Sequence, residues 1–169
     1  GGEAMAAKAN EDSVDYCLDR LKDDDFIGIQ TYTRSTFGPD GVVRPNVNQD
    51  NMLVMGYEYY PESLENVLRY VSSKLDVPLI VTENGIATDD DNQRIEFVKT
   101  SLEGVQNCLN DGIDIRGYFY WSLLDNFEWV YGYKPHFGLV NVDLKNQKRS
   151  VKPSMKFYKG VIDNSKNLE

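Results

Sequence analysis

The stretch PLIVTENGIA, residues 78–87, decides the fold and raises the question of function. It opens with a short apolar run, residues 79–81, which is typical of a strand buried inside a sheet. The run ends on a threonine and a carboxylate, Glu83, with the turn signal Asn84-Gly85 directly behind. The pattern predicts a buried strand with an acid at its end. Glu83 can be a nucleophile that points into a pocket, or it can simply cap the turn.

Strands and helices alternate on either side of this stretch. Apolar strands are predicted at residues 25–32, 77–84 and 115–125, and a polar loop with Gly38, Pro39, Gly41 and Pro45 follows the first. Helical spacing of apolar residues predicts helices at 11–22, 61–75, 92–112 and 150–162. Apolar strands separated by amphipathic helices indicate parallel βαβ crossovers.

Two parallel architectures fit this order, a doubly wound sheet and a (β/α)8 barrel. No phosphate-binding glycine motif follows any strand, and the polar residues gather just after the strand ends, where barrel enzymes keep their sites. A barrel takes about 250 residues, and three strands cannot close one. We therefore predict a single α/β domain, residues 1–169, that is the C-terminal portion of a (β/α)8 TIM barrel, about strands six to eight, and incomplete as an isolated chain.

Composition limits the classes of partner that the protein is expected to bind. A net charge of −9 argues against binding of nucleic acid or of anionic membranes. The sequence contains no run of about 18 apolar residues, so no membrane-spanning helix is predicted. Cys17 and Cys108 lie in helix-like patterns, which predicts two buried thiols in a reducing compartment. With no N-x-[ST] sequon, this favours the cytoplasm. The N-terminus lacks both a signal-peptide pattern and an initiating methionine, so we expect a cut end.

Residues 118–140, YFYWSLLDNFEWVYGYKPHFGLV, have the composition of a sugar site. A sugar has apolar C–H faces and a rim of hydroxyls, so its site needs aromatic platforms together with carboxylate acceptors. This stretch supplies both, and the residues we select as substrate-binding are Trp121, Glu128, Trp129 and Phe137. The alternative is aromatic core beneath a long loop, which we expect for Phe119 and Tyr120.

A metal site is not expected. The single histidine, His136, makes a multi-histidine metal site or a Ser-His triad improbable. Asp125-Asn126-x-Glu128 offers oxygens suited to calcium, but the D-x-[DN]-x-[DN]-G pattern is missing. Catalysis, if present, is therefore predicted to depend on carboxylates.

Five separated motifs resemble family 1 glycoside hydrolases of the β-glucosidase type, in the expected order. VTENGIA resembles the family's strand-end nucleophile motif, and YWSLLDNFEWVYGYKPHFGLVNVD resembles its last-strand signature. DFIGIQTYTR, MGYEYYPESL and RSVKPSMKFY are similar to further family segments. The resemblance covers nearly the whole chain from residue 25 onward. It implies a retaining hydrolase of β-glycosides that needs no metal or organic cofactor.

The resemblance also implies roles for single residues. Glu83 would be the nucleophile that forms a covalent glycosyl-enzyme, and the hydroxyl of Tyr32 would hydrogen-bond it. Trp121 would line the floor under the sugar. Glu128 and Trp129 would hydrogen-bond the sugar hydroxyls, and a carboxylate at position 128 argues for an unphosphorylated sugar, most simply a glucoside.

The sequence departs from the family pattern at three points. Gln30 stands where an asparagine is usual, so its amide would reach the substrate from one methylene further, and Tyr57 stands where tryptophan is common. The family's acid/base motif, Asn-Glu-Pro, does not occur. We therefore expect the isolated chain to be nearly inactive. The alternative hypothesis is a non-catalytic carbohydrate-binding half-barrel that dimerises to cover its sheet edges.

Overall fold

The computed structural model describes residues 1–43 and 54–165. Its helices are α1 (Gly2–Asn10), α2 (Tyr16–Leu21), α3 (Ser63–Ser72), α4 (Asp91–Asn110) and α5 (Pro153–Ser165). Its strands are β1 (Ile27–Gln30), β2 (Thr36–Gly38), β3 (Gly41–Val43), β4 (Leu79–Asn84), β5 (Ile115–Tyr120), β6 (Val140–Val142) and β7 (Arg149–Val151). A π-helical turn, Glu11–Asp15, joins α1 to α2, and Trp129–Tyr131 form a 3₁₀ turn.

The central element is a parallel three-stranded sheet in the order β1-β4-β5. Ile27 pairs with Leu79, which pairs in turn with Ile115, so the three strands start level with one another. Their carboxyl ends therefore meet at one edge, as the sequence predicts. The strands β2 and β3, and likewise β6 and β7, form separate antiparallel pairs.

One face of the central sheet carries the core. Ile27, Ile29, Leu79 and Val81 alternate along β1 and β4, and all four are buried. They pack with apolar residues of α3 and α4, including Leu64, Leu68, Val105 and Cys108. The intervening residues of β1, Gly28 and Gln30, face the other side and are exposed. The sheet is thus covered by helices on one face and open on the other, as expected for a portion of a barrel.

Helix α4 has clear start and stop signals. The Asp90 side chain caps its first turn by accepting a hydrogen bond from the Asn92 amide at 2.9 Å. Gly112 follows its last residue with φ of +84°, a conformation that glycine adopts without strain. The predicted stop at Asn110-Asp111-Gly112 is therefore confirmed.

Three local expectations are corrected or moved. Cys17 is exposed, so only Cys108 is a buried thiol, and both cysteines are free. Phe119 is 61% exposed because it lies on the opposite side of β5 from Tyr118 and Tyr120, so it is not core. The predicted polar loop begins as the β2–β3 hairpin, while Pro45 lies outside the described residues.

Every helix within residues 1–43 and 54–165 is too short or too polar to cross a bilayer.

Candidate active site

A cavity of ≈ 260 Å³ opens at the carboxyl ends of the parallel strands. Glu83 enters it from the end of β4, Tyr32 from just after β1, and Trp121 from just after β5. Among the described residues, the lining consists of Tyr32, Met55, Tyr57, Glu83, Trp121, Glu128, Trp129 and Phe137. Six residues selected from the sequence therefore share one cavity.

The tightest polar contact in this cavity joins Tyr32 to Glu83. The Tyr32 hydroxyl donates a hydrogen bond to Glu83 Oε2 at 2.6 Å. Burial, followed by the hydrogen bond and the charge of Glu83, raises the pKa of Tyr32 well above its ordinary value. The phenol therefore stays protonated and remains a donor. Glu83 therefore accepts its hydrogen bond from an uncharged partner.

Phe137 fixes the orientation of Tyr32. The two rings meet edge to face, with centroids 5.8 Å apart and planes at 77°. Phe137 is 2% exposed, and its carbonyl accepts a hydrogen bond from the Tyr120 hydroxyl at 2.9 Å. The phenylalanine is thus a buried wall of the cavity rather than an open platform.

Asn84 does more than form a turn. Its side chain is fully buried, its Nδ2 donates to the Thr31 carbonyl at 2.8 Å, and its Oδ1 accepts from the Tyr118 hydroxyl at 2.9 Å. These bonds tie together the carboxyl ends of β1, β4 and β5. The residue beside Glu83 therefore fixes the strand ends that present the carboxylate, a role that the Asn-Gly dipeptide does not reveal.

Gly85 allows the next contact. A Cβ at this position would lie 2.0 Å from the Trp121 carbonyl oxygen, so only glycine fits. The Trp121 amide in turn donates to the Asn84 carbonyl at 2.9 Å, and the Trp121–Ser122 peptide bond is cis. The indole is thus brought to the cavity by close packing of two chain segments.

Glu128 and Trp129 lie on a tight loop that closes the cavity. The Glu128 amide donates to the Gly132 carbonyl at 2.7 Å, and the Tyr131 amide donates back to Glu128 at 2.9 Å. Trp129 has a positive φ of 45° and is 80% exposed. The indole of Trp129 is therefore the most accessible aromatic surface among the tryptophans, while Glu128 is half-buried behind it.

Asp125 anchors this loop to the rest of the fold. Its Oδ1 accepts hydrogen bonds from the Gly138 amide at 2.8 Å and from Lys152 Nζ at 3.0 Å. Both side chains of the ion pair are largely buried, at 8% exposure for Asp125 and 15% for Lys152. Burial and the nearby charge of Arg94 lower the pKa of Lys152, and Asp125 opposes that change. Asp125 therefore stabilises the position of the loop.

Sequence reasoning and geometry differ at the cavity wall. Gln30 pairs with Glu83 in the strand ladder, at an irregularity in the register, but its exposed side chain does not line the cavity. Met55 and Tyr57 do line it and were not selected. The aromatic residue at position 57, within the family-like segment MGYEYYPESL, was the signal that could have identified Tyr57.

No group of three or more histidine, cysteine, aspartate or glutamate side chains among the described residues has the geometry to hold a metal ion. The polar groups around the cavity are carboxylates, phenol hydroxyls and indole N–H groups. Such a set can bind hydroxyls, stack on apolar sugar faces and provide a carboxylate nucleophile.

Comparison with known proteins identifies the family. The profile described as glycosyl hydrolase family 1 matches residues 13–167. β-Glucosidase A of Thermotoga maritima is 34% identical over 173 residues, covering 89% of this chain and 39% of that protein. A β-galactosidase of Sulfolobus acidocaldarius is 35% identical over 152 residues, covering 81% of this chain and 31% of that protein.

Solved structures agree with these sequence matches. A β-glycosidase crystal structure superposes with a TM-score of 0.86 at 45% identity, covering 92% of this chain and 37% of that one. The β-glucosidase of Thermotoga maritima in complex with glucoimidazole superposes with a TM-score of 0.74 at 36% identity, covering 83% of this chain and 34% of that one. The chain thus spans little more than a third of the length of its relatives, which confirms an open portion of a barrel. On the family match and these identities, the chain belongs to glycosyl hydrolase family 1.

Proposed function

We propose that the protein is a retaining β-glycosidase that acts on unphosphorylated β-glycosides, most simply β-glucosides, with Glu83 as the nucleophile. One observation carries the proposal: Glu83 projects into a cavity lined by aromatic and carboxylate side chains, and within the described part of the chain its side chain accepts a hydrogen bond from the neutral hydroxyl of Tyr32. Family membership and β-glycosidase relatives support the reaction class.

The chemistry follows from the carboxylate. Glu83 attacks the anomeric carbon, a C–O bond to the enzyme forms, and the bond to the leaving-group oxygen breaks with inversion. The leaving oxygen takes a proton from a second carboxylic acid. Water then attacks the same carbon from the opposite side, gives its proton to that second carboxylate, and releases Glu83. Two inversions give net retention of configuration.

Tyr32 supports the nucleophile throughout this cycle. Its hydroxyl donates to the charged carboxylate before attack and keeps the other oxygen, Oε1, free to react. Trp121 and Trp129 supply the apolar surfaces for the sugar ring, and Glu128 accepts hydrogen bonds from sugar hydroxyls. A carboxylate at that position repels a phosphate, which favours an unphosphorylated substrate.

The second carboxylate is proposed to lie outside these residues. A retaining mechanism places the two carboxyl groups about 5–5.5 Å apart. Asn-Glu-Pro does not occur in the sequence, and the chain spans 39% of the length of the Thermotoga relative. General acid catalysis contributes roughly 10²–10⁴-fold, so this chain by itself is expected to release poor leaving groups extremely slowly.

A burst experiment tests the proposal. An activated aryl β-glucoside needs little acid assistance, so the chain should release about one equivalent of phenol and gain one glycosyl group, located at Glu83 by peptide mass spectrometry. Binding of the glucoside without any label on Glu83 would favour a non-catalytic sugar-binding protein instead. Rapid steady-state turnover by this chain would overturn the assignment of the acid/base to another part of the protein.

A further inference from the structure

Tyr57 forms part of the cavity wall without belonging to a helix or a strand. Its ring lies beside that of Tyr32, with centroids 6.4 Å apart and planes tilted by 40°. It belongs to the segment 55–61, which leads into α3. Glu58 is the one β-bridge residue among residues 55–60, and no regular helix or strand holds them, so the position of the Tyr57 ring also depends on side-chain contacts made by its neighbours.

Arg34 makes the strongest of these contacts. Its Nε donates to Glu58 Oε2 at 2.8 Å and its Nη2 donates to Glu58 Oε1 at 2.9 Å, a two-pronged pair with fixed geometry. The Thr33 hydroxyl donates to the Glu58 carbonyl at 2.9 Å. The residues directly after Tyr32 therefore hold both the side chain and the backbone of the residue directly after Tyr57.

The same guanidinium also holds the segment further along. Arg34 lies over the ring of Tyr60, 3.9 Å from its centroid, and the Tyr60 hydroxyl accepts from Asn66 at 2.9 Å. Between these contacts Tyr59 packs edge to face against Phe97 of α4, with centroids 6.0 Å apart. The neighbours of Tyr57 on its C-terminal side are thus fixed one after another.

Neither member of the pair lines the cavity. The Arg34 side chain is 48% exposed and that of Glu58 is 16% exposed. An ion pair whose arginine is this exposed contributes little to folding, so its loss should leave the protein folded. An effect on the cavity can therefore pass through the segment that the pair holds or along the chain to Tyr32, two residues before Arg34, and the Tyr57 variants below separate the two routes.

We propose that Arg34 is a positioning residue for the sugar site: its two-pronged grip on Glu58 and its stacking on Tyr60 hold the ring of Tyr57 against Tyr32 and so fix the width of the cavity. This inference rests on the proposed function of that cavity as a sugar site. The guanidinium geometry is essential, because a lysine keeps the charge but cannot form the fork.

Intrinsic fluorescence provides a direct measurement. The protein contains two tryptophans, Trp121 and Trp129, and both line the cavity. Arg34→Ala and Arg34→Lys should both increase quenching of this fluorescence by acrylamide and should weaken binding of glucoimidazole about threefold to tenfold, which corresponds to about 0.7–1.4 kcal/mol. Glucoimidazole is the ligand in the Thermotoga structure.

The chain contains a matched control. Arg116 makes a comparable two-pronged pair with Asp114, at 3.0 and 2.8 Å, on the surface at the amino end of β5. Arg116→Ala should alter neither quenching nor binding. Adding Arg34→Ala to a Tyr57→Ala variant should also have no further effect, because Arg34 is proposed to act only through that ring.

The outcomes separate the two proposals. If the wild-type chain binds no glucoimidazole but Arg34→Ala still increases quenching, the positioning role stands and the sugar site is wrong. If Arg34→Lys behaves as wild type, or if Arg34→Ala weakens binding equally with and without Tyr57, the proposed role of Arg34 is overturned. Equal effects from Arg116→Ala would overturn it too.

Discussion

Two carboxylates near the mouth of the sheet, Glu83 and Asp125, are held in opposite ways. Glu83 lines the cavity and accepts its hydrogen bond from the neutral phenol of Tyr32 at 2.6 Å. The Asp125 side chain is 8% exposed and accepts hydrogen bonds from a cation, Lys152, and from the amide of Gly138. One carboxylate keeps its charge available, while the other has its charge balanced by a partner.

This difference supports the proposal that Glu83 rather than Asp125 is the nucleophile. A buried carboxylate paired with a cation is stabilised in place, and withdrawing it from the pair leaves an unpaired charge in the interior. A carboxylate held by a phenol can lose its charge to a new covalent bond without abandoning a cation. Position in the sequence does not separate the two kinds of carboxylate. Asp125, which is paired with Lys152, lies only three residues before Glu128, which lines the cavity.

The largest predicted effect concerns the chemistry of Glu83. Glu83→Gln keeps the shape of the side chain but removes its nucleophilicity, so the rate of covalent labelling by an activated aryl β-glucoside should fall by more than about 10⁴-fold. The measurement is the mass of the intact protein against time. Asp125→Asn, compared at equal folded fraction, should still be labelled. Equal loss in both variants would contradict the contrast between the two acids.

The next effect is on stability and belongs to Asp125. Asp125→Ala leaves Lys152 buried without its partner, and the free energy of unfolding should fall by about 3–5 kcal/mol in a urea titration. Asp125→Ala combined with Lys152→Met should recover most of that loss. Asp12→Ala breaks the fully exposed pair with Lys8 and should leave the free energy of unfolding nearly unchanged. A cost for Asp125→Ala as small as this would mean that the buried pair is not an anchor.

The sequence was sufficient for the three strands of the central sheet and for the acid at the end of β4, but not for the antiparallel pairs β2–β3 and β6–β7. The apolar run before Glu83 and the alternation of strands with amphipathic helices predicted the parallel order, because burial on a helix-covered face needs such runs. Tyr32 followed from a family resemblance, whereas Trp121 and Phe137 were selected from the aromatic composition of residues 118–140, and the structure brings the three together at the same site.

The missing parts depend on contacts that sequence patterns do not encode. Asn84-Gly85 looked like a turn, but Asn84 bonds across three strands and Gly85 packs against the Trp121 carbonyl. Nothing local distinguishes such an asparagine from one in an exposed turn. Gln30 was expected to meet the substrate from β1, yet its side chain does not line the cavity, where the strand ladder shifts register.

A smaller effect is expected from Tyr32. Tyr32→Phe removes one hydrogen bond to a charged group, worth about 1.5–3 kcal/mol, so labelling of Glu83 should slow by about 10–100-fold while the nucleophile remains. Tyr70→Phe is the matched control, because the Tyr70 hydroxyl donates to Asp15 Oδ1 at 2.7 Å away from the cavity. Unchanged labelling in Tyr32→Phe would mean that the phenol does not prepare Glu83 for attack.

The smallest effect concerns a third carboxylate, Asp91, which joins α4 to α5. It accepts hydrogen bonds from the Ser154 amide and hydroxyl, both at 2.8 Å, and pairs with the buried Arg94. Burial raises the pKa of Asp91, but the bonds from Ser154 and the charge of Arg94 outweigh burial and lower it. Asp91 is thus paired with a cation, as Asp125 is, and differs in this from Glu83.

A lowered pKa in the folded state makes the contribution of Asp91 dependent on pH. The stabilisation is present above the pKa of the unfolded chain, about 3.9, and is lost as the pH falls through the lower folded-state pKa. Asp91→Asn should therefore cost about 1 kcal/mol at neutral pH and flatten the decline of unfolding free energy at acid pH. Urea titrations across that range measure both quantities. If the unfolding free energy of Asp91→Asn still declined at acid pH as steeply as that of the wild type, the ion pair of Asp91 would not be the source of that decline. Pairing with a cation would then not distinguish Asp91 and Asp125 from Glu83.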